Sequence, residues 1–392
     1  MHPRKLIIHI GSHKTGTSSI QSSLFGHCGD LEKQGFTLYN YNLDGSLRQN
    51  GNADPWICFE PGSHLEARIR EGLAQELRAL AGNVLISSAH FSWIFDESEL
   101  HSFHDQLKDD FDEFKIVAYV RRQDQQAVSH YQQGSEFNAV DAARYYDGGC
   151  RALPPCRGHF QQYLNYFQKL GMWGNVFGDA NMIVRVIDEE FLRDGDIVAN
   201  FFAAVSLDIK VAAPHQNESR SFEQTKLGHL MNRMKVPGQL RKSLLCYSGG
   251  SGKFQPARED ARAFYQHFRQ SNKQLNEKYA INGNTCLFNE DFDMYPVESQ
   301  DTWTEDSANQ AILNLLEGVN HLPALDSRDL RFLGKVSRRM VTIDREKSAA
   351  LSQLIARHGG RNIEPGSDRA EVDQRRTRAG LRNFLSRIRK LF

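Results

Sequence analysis

His9-Ile10-Gly11-Ser12-His13-Lys14-Thr15-Gly16-Thr17-Ser18-Ser19-Ile20-Gln21 is the stretch whose reading decides the fold. It grows out of Lys5 to Ile10, which reads as a buried strand, and runs into Thr17 to Phe25, which reads as a helix. A strand–turn–helix junction gathers backbone N–H groups at the positive end of the helix dipole, which makes an anion site suited to phosphate. Lys14 adds a point charge, Thr15, Thr17, Ser18 and Ser19 add hydroxyl donors, and Gly16 allows close approach of the chain to a ligand. It is not a Walker A loop, because Lys14 precedes Gly16 instead of following the last glycine. The plain alternative is an ordinary junction with Gly11 and Gly16 as turn formers; the position after the first strand favours phosphate.

Outward from this loop, strand-like and helix-like stretches alternate, the pattern of a mostly parallel sheet covered by helices. Further strands are expected at Phe36 to Tyr39, Asn83 to Ile86, Lys115 to Val120 and Met182 to Val186. Helical spacing is expected at Leu65 to Leu80, Asp124 to Gln133, Phe160 to Phe177, Asp196 to Val205, Ser221 to Met234 and Ala257 to Tyr279. Asn40 to His64 and Asp141 to Gly158 read as loops, being rich in Asn, Gly, Asp and Pro. The expectation is an α/β fold, a P-loop-like three-layer arrangement with a central, mostly parallel sheet flanked by helices, plus a helical C-terminal extension. The division read from composition is residues 1–298 as the main domain and 299–392 as the extension.

The strand Lys115 to Val120 runs straight into Arg121-Arg122-Gln123-Asp124. In a nucleotide triphosphatase such a strand would end in an Asp that orients Mg²⁺. A guanidinium at the carboxyl end of a parallel strand points into the ligand crevice and suits phosphate better than a metal. Ser129, two helical turns on, can present a hydroxyl to the same anion. The competing reading pairs these arginines with Asp109, Asp110 and Asp112.

Together the two motifs resemble those of the sulfotransferases that use 3′-phosphoadenosine 5′-phosphosulfate (PAPS), most closely the bacterial carbohydrate-directed branch. HIGSHKTGTSSIQ at 9–21 is similar to that branch's 5′-phosphosulfate loop, and RRQDQQAVSHY at 121–131 to its 3′-phosphate element. Weaker likeness continues through residues 181–207, Asn217-Glu218-Ser219, and Ser271-Asn272 with Tyr279, so that it covers roughly residues 4–295. The resemblance implies that Lys14, Thr15, Gly16, Thr17 and Ser18 bind the 5′-phosphate and bridging oxygen. It implies that Arg121 and Ser129 bind the 3′-phosphate, and that no metal takes part. Lys14 would then stabilise charge developing on the leaving phosphate.

The same resemblance calls for a base. Relatives often carry Glu where this chain has Ala89; His90, at the end of a core strand, is the choice here, and His13 the second. The acceptor would be a hydroxyl, less readily an amine, on a carbohydrate or glycolipid. Trp56, Phe59, Tyr145 and Tyr146 on the long loops could stack on sugar rings or could be local packing anchors. Two rival readings stay open: a degenerate sulfotransferase fold serving as a binding or scaffold subunit, and a kinase with an aberrant P-loop.

Composition limits the remaining classes. The 392 residues suffice for two or three domains, and 40% hydrophobic with 24% charged residues is the balance of a soluble globular protein. Forty-eight basic residues match 48 acidic ones, so no nucleic-acid partner is expected and any anion site is local. The apolar run at Leu6 to Ile8 is short for a signal-peptide core, and six scattered cysteines read as free thiols, so a cytoplasmic address is expected. Residues 375–392 hold seven basic residues and no acid, with Leu381, Phe384, Leu385, Ile388 and Leu391 on one helical face. A solvated terminal helix comes first for this stretch, and peripheral contact with an anionic membrane or a partner second.

Overall fold

In the computed structural model, residues 3–60, 66–136, 146, 149–211, 220–246, 248, 252–320, 326–340 and parts of 349–357 are described. Residues 217–219, Tyr145, much of the loop at 141–158 and the basic stretch 375–392 lie outside the described residues.

The central sheet has five parallel strands. They are β1 (Lys5–His9), β2 (Phe36–Tyr39), β5 (Asn83–Ser87), β6 (Glu113–Val120) and β7 (Met182–Val186), in the order β2-β5-β1-β6-β7. This is the expected α/β architecture. Two strands lie outside the sheet: β3 (Ile57–Phe59) and β4 (Ala67–Ile69) pair antiparallel with each other. They correct two expectations, since β3 interrupts the loop at 40–64 and β4 replaces the first part of the helix expected at 65–80, leaving only the helix Leu73–Ala79. Strands of three residues are too short for alternation to register.

Period-two alternation explains how β1 is covered on both faces. Ile7, Leu85, Val117 and Tyr119 share one core cluster with Ile20 and Leu24 of helix α1 (Thr17–Gly26) and with Val198, Phe201 and Phe202 of the helix Ile197–Ala204. Leu6, Ile8, Val84, Ile86 and Ile116, the alternate residues, are also fully buried. The helix Tyr166–Phe177 packs on β6 and β7 and is flanked by the helices Glu97–Asp105 and Arg269–Tyr279.

The described chain clusters into two compact units. The first comprises residues 1–130, 153–218 and 256–298 and contains the sheet; the second comprises 131–152, 219–255 and the segment from 299 on. One boundary thus falls at 298, and the second unit also takes in two earlier stretches. It contains the helix Phe222–Met234, opened by a capping box between Ser221 and Gln224, and the helices Gly238–Leu245, Glu305–Asn320 and Ser327–Met340. Met231, Val236 and Leu240 form its apolar centre with Leu315, Leu330 and Leu333.

Candidate active site

Strand β1 is the point where the sheet order reverses, between β5 and β6, and the crevice beyond its carboxyl end is where open α/β sheets bind ligands. Three connections leave that edge side by side: the loop 10–16 after β1, the turn 88–93 after β5, and Arg121-Arg122 after β6. Pairing runs past the last residue of β1, since Ile10 N–H donates to the Val117 carbonyl at 2.9 Å and Tyr119 N–H to the Gly11 carbonyl at 2.7 Å. Ser12 N–H donates in turn to the Tyr119 carbonyl at 3.1 Å, so the loop starts level with the end of β6.

From Ser12 the chain folds back over the start of α1. Lys14 and Gly16 both adopt positive φ, 60° and 76°. A Cβ on Gly16 would also lie 2.8 Å from Ile197 Cγ1, so both backbone and space demand glycine there. Gly16 caps α1 without any side chain, which leaves first-turn N–H groups facing the crevice. Ser18 is exposed at this end of the helix.

The threonines correct one expectation. Thr15 and Thr17 donate their hydroxyls inward to the same acceptor, the Ser12 carbonyl, at 2.7 and 2.9 Å, and both are buried. They brace the loop, and their hydroxyl protons do not point at a ligand. The Gln126 amide makes a further brace to the His13 carbonyl.

The two arginines separate completely. Arg122 is a structural clamp: it forms a buried ion pair with Asp124 at 2.9 Å, donates to the carbonyls of Asn289 and Asp291, and lies over the Phe292 ring. Arg121 faces the loop. Its Nη1 lies 3.4 Å from the Lys14 carbonyl and its Nε donates to Gln125 Oε1 at 3.2 Å. Gln125 and Ser129 follow at four-residue steps on the helix Gln123–Gly134, so Arg121, Gln125 and Ser129 share a face. Two of the three acids weighed against this reading are engaged elsewhere, Asp112 with the Arg4 N–H and Asp110 with Arg78.

His90 opens the turn after β5 and is half-buried, with a buried Nδ1 that has no hydrogen-bond partner among the described residues. Its ring stacks at 5.7 Å on His13, which stacks at 5.4 Å on His130. Burial, followed by the neighbouring imidazoles and lysines, holds His13 well below the usual histidine range, and burial holds His130 down to about 3. Tyr163 Oη lies 3.1 Å from His13 N and 3.3 Å from its Nδ1, and its ring stacks on Trp93 at 3.7 Å.

Several of these residues escaped the sequence reading: Ser12, Gln126, His130, Tyr163 and Lys169. The lysine left a trace, because it occupies an apolar-face position in a helix whose neighbours on that face are Tyr166, Leu170 and Trp173. Of the two alternatives open for the loop aromatics, Trp56 and Tyr146 take the packing one. Trp56 is buried and donates its indole N–H to the Tyr41 carbonyl, and Tyr146 is 1% exposed, so neither presents a face. Phe59 sits edge-on to His90 at 5.2 Å. Among the described residues no His, Cys, Asp or Glu cluster could hold a metal ion, and no helix is long and apolar enough to cross a membrane.

The fold is that of an α/β protein with a glycine-bearing strand–turn–helix loop at the switch point of its sheet. No family model matches the chain. A 200-residue stretch is 26% identical to an uncharacterised protein of Archaeoglobus fulgidus, covering 47% of this chain; the match spans about half of that relative, 52% of its length. Among solved structures the chain is similar to a sulfotransferase from Alicyclobacillus acidocaldarius, with 14% identity, a TM-score of 0.30 and coverage of 72% of this chain and 97% of the other. It is also similar to mouse sulfotransferase SULT7A1 complexed with PAP, with 11% identity, a TM-score of 0.27 and coverage of 89% and 88%.

Proposed function

We propose that the protein transfers a sulfuryl group from PAPS to a hydroxyl of a carbohydrate or glycolipid. The observation that carries this reading is the approach of the Arg121 guanidinium to the Lys14 backbone, 3.4 Å across the ends of two adjacent strands. One anion seat at a helix N-terminus and a second cation one strand away suit a ligand with two phosphate groups, as the resemblance of the two motifs implies. The donor set fits such a nucleotide: the loop offers N–H groups and an ammonium, and Asp124, the acid beside Arg121, is spent on Arg122 and the Tyr295 hydroxyl.

In this reading Gly16, Thr15, Thr17 and Ser18 hold the 5′-phosphate through backbone N–H groups, with the Ser18 hydroxyl as an exposed addition. Arg121 and Ser129 hold the 3′-phosphate. The acceptor oxygen attacks sulfur in line, the S–O bond to the 5′-phosphate breaks, and Lys14 stabilises the negative charge left on that phosphate. His90, half-buried in the turn after β5, accepts the acceptor's proton on its imidazole, which no hydrogen bond to a described residue ties at Nδ1. His13 is the weaker candidate because burial lowers its basicity and Tyr163 occupies its Nδ1.

Calorimetric titration with adenosine 3′,5′-bisphosphate beside ATP with Mg²⁺ tests the donor site. Binding of the bisphosphate that is lost in Arg121→Ala supports the reading, and preference for ATP overturns it. A second measurement, transfer of labelled sulfate to an acceptor panel, separates enzyme from binding subunit. His90→Ala should lower turnover by roughly 10²–10⁴-fold while leaving bisphosphate affinity within about twofold.

A further inference from the structure

Lys169 is the buried titratable group that the proposed transfer does not use. Its side chain is 1% exposed, and its Nζ donates to Ser12 Oγ at 3.1 Å. Nζ lies 4.0 Å over the Tyr163 ring and 5.1 Å over the Tyr166 ring. Among the described residues no carboxylate pairs with it. The charged and titratable groups around it are His13 and Lys14 of the loop, His130 of the helix Gln123–Gly134, Tyr163 of the helix Gly158–Leu164 and Tyr166 of its own helix. A cation sealed under an anion loop, among other cations and neutral rings, is out of place until negative charge arrives above it.

We propose that Lys169 is a positioning residue of the anion loop, which takes a proton from solvent as a phosphate- or sulfate-bearing ligand settles on the loop and returns it when the ligand leaves. Protonated, it donates to Ser12, whose carbonyl already anchors Thr15 and Thr17, so its charge is transmitted to the backbone that holds the ligand. Burial holds the ammonium down to about 7, so the side chain is largely neutral in mildly alkaline solution with the loop empty. A negative charge roughly 8 Å away in a protein interior favours the ammonium by on the order of tenfold. The inference rests on the loop being an anion site and is independent of which anion binds.

The test is proton uptake, measured by calorimetry at pH 8 in two buffers of different ionisation enthalpy. The probes are adenosine 3′,5′-bisphosphate, pyrophosphate and inorganic sulfate. The expected result is uptake of a substantial fraction of one proton per ligand, shrinking toward pH 6. It should vanish in Lys169→Met and in Lys169→Arg, whose guanidinium stays charged. Affinity should fall about tenfold at pH 6 and only about twofold at pH 8 in the Met variant, and become flat with pH in the Arg variant. The empty Met variant should melt no lower than wild type at pH 6.5, because a purely structural lysine would lower that melting point. Uptake that persists in both variants, or is zero with all three anions, overturns the proposal. Uptake with pyrophosphate or sulfate but no binding of the bisphosphate would keep Lys169 in this role and remove the nucleotide reading instead.

Discussion

Gly16 sits at φ 76°, where any Cβ is strained, and the nearest atom to that Cβ would be Ile197 Cγ1 at 2.8 Å. Left-handed strain and overpacking each cost about 1–2 kcal/mol. Gly16→Ala should therefore lose about 2–4 kcal/mol in a urea melt and weaken anion binding with it; an unchanged midpoint would mean that the loop rearranges freely. The arginine pair makes a sharper contrast. Arg122→Ala leaves Asp124 buried without its partner and should cost about 3–5 kcal/mol. Arg121→Ala removes a half-buried group with two long hydrogen bonds, to the Lys14 carbonyl and to Gln125, and no ion pair among the described residues, so stability should move by about 1 kcal/mol while bisphosphate binding disappears. Parallel denaturation and titration of the two variants would reveal whether they have been assigned the wrong way round. In the sequence the two stand side by side with equal claim, and the first was chosen on its likeness to a motif. Only the strand end decides which side chain turns toward the loop.

At the scale of elements, agreement is closest where a buried face imposes its period over four or more residues. Phe36–Tyr39 and Met182–Val186 form as expected to the residue, and Asp196 caps its helix by accepting from Ala199 N–H at 2.7 Å. Asp196→Ala should cost about 1 kcal/mol, read from the thermal midpoint. It should also loosen Ile197, the side chain against Gly16, so anion affinity should fall modestly; a stability loss with wholly unchanged affinity would detach this helix from the site. The antiparallel pair β3–β4 went unread because its strands are short and the local spacing after Leu65 suits a helix equally well. The helices Cys28–Lys33 and Glu97–Asp105 lie outside the stretches with expected helical spacing, the first being only six residues long. Thr15 and Thr17 show a related limit: composition supplied two hydroxyls beside the glycine loop, and the fold turned both inward to the Ser12 carbonyl.

The whole molecule records its buried imidazoles as a pH response. Burial lowers His9 and His130 from the ordinary 6.5 to about 3, so below pH 6.5 the unfolded chain binds protons that the folded protein refuses. Stability is therefore fully present above pH 6.5 and falls as the pH drops toward 3, by at most about 1.4 kcal/mol per pH unit for each histidine. Lys169 acts in the alkaline range: with its ammonium held down to about 7 against an ordinary 10.5, stability of the empty protein should rise between pH 7 and 10.5. Denaturation midpoints across pH 4 to 10 check both slopes, and Lys169→Met should flatten only the alkaline one. A protein equally stable at pH 4 and pH 7 would mean that these histidines are hydrated.

By itself the sequence determined the alternation of strands and helices, the glycine-bearing loop with its lysine after the first strand and the second basic point after Val120. Each of these is written in a local pattern: apolar runs of strand length, glycines where φ turns positive, and a lysine or arginine next to them. Tertiary structure alone decided the strand order that sets β5, β1 and β6 side by side. It also decided the separation of Arg121 from Arg122 and the placing of Lys169 beneath Ser12. Residues 12 and 169 are far apart in the chain, and no local pattern encodes contact between them. Their meeting depends on which helix covers which edge of the sheet, which is settled by burial of apolar surface over the whole unit.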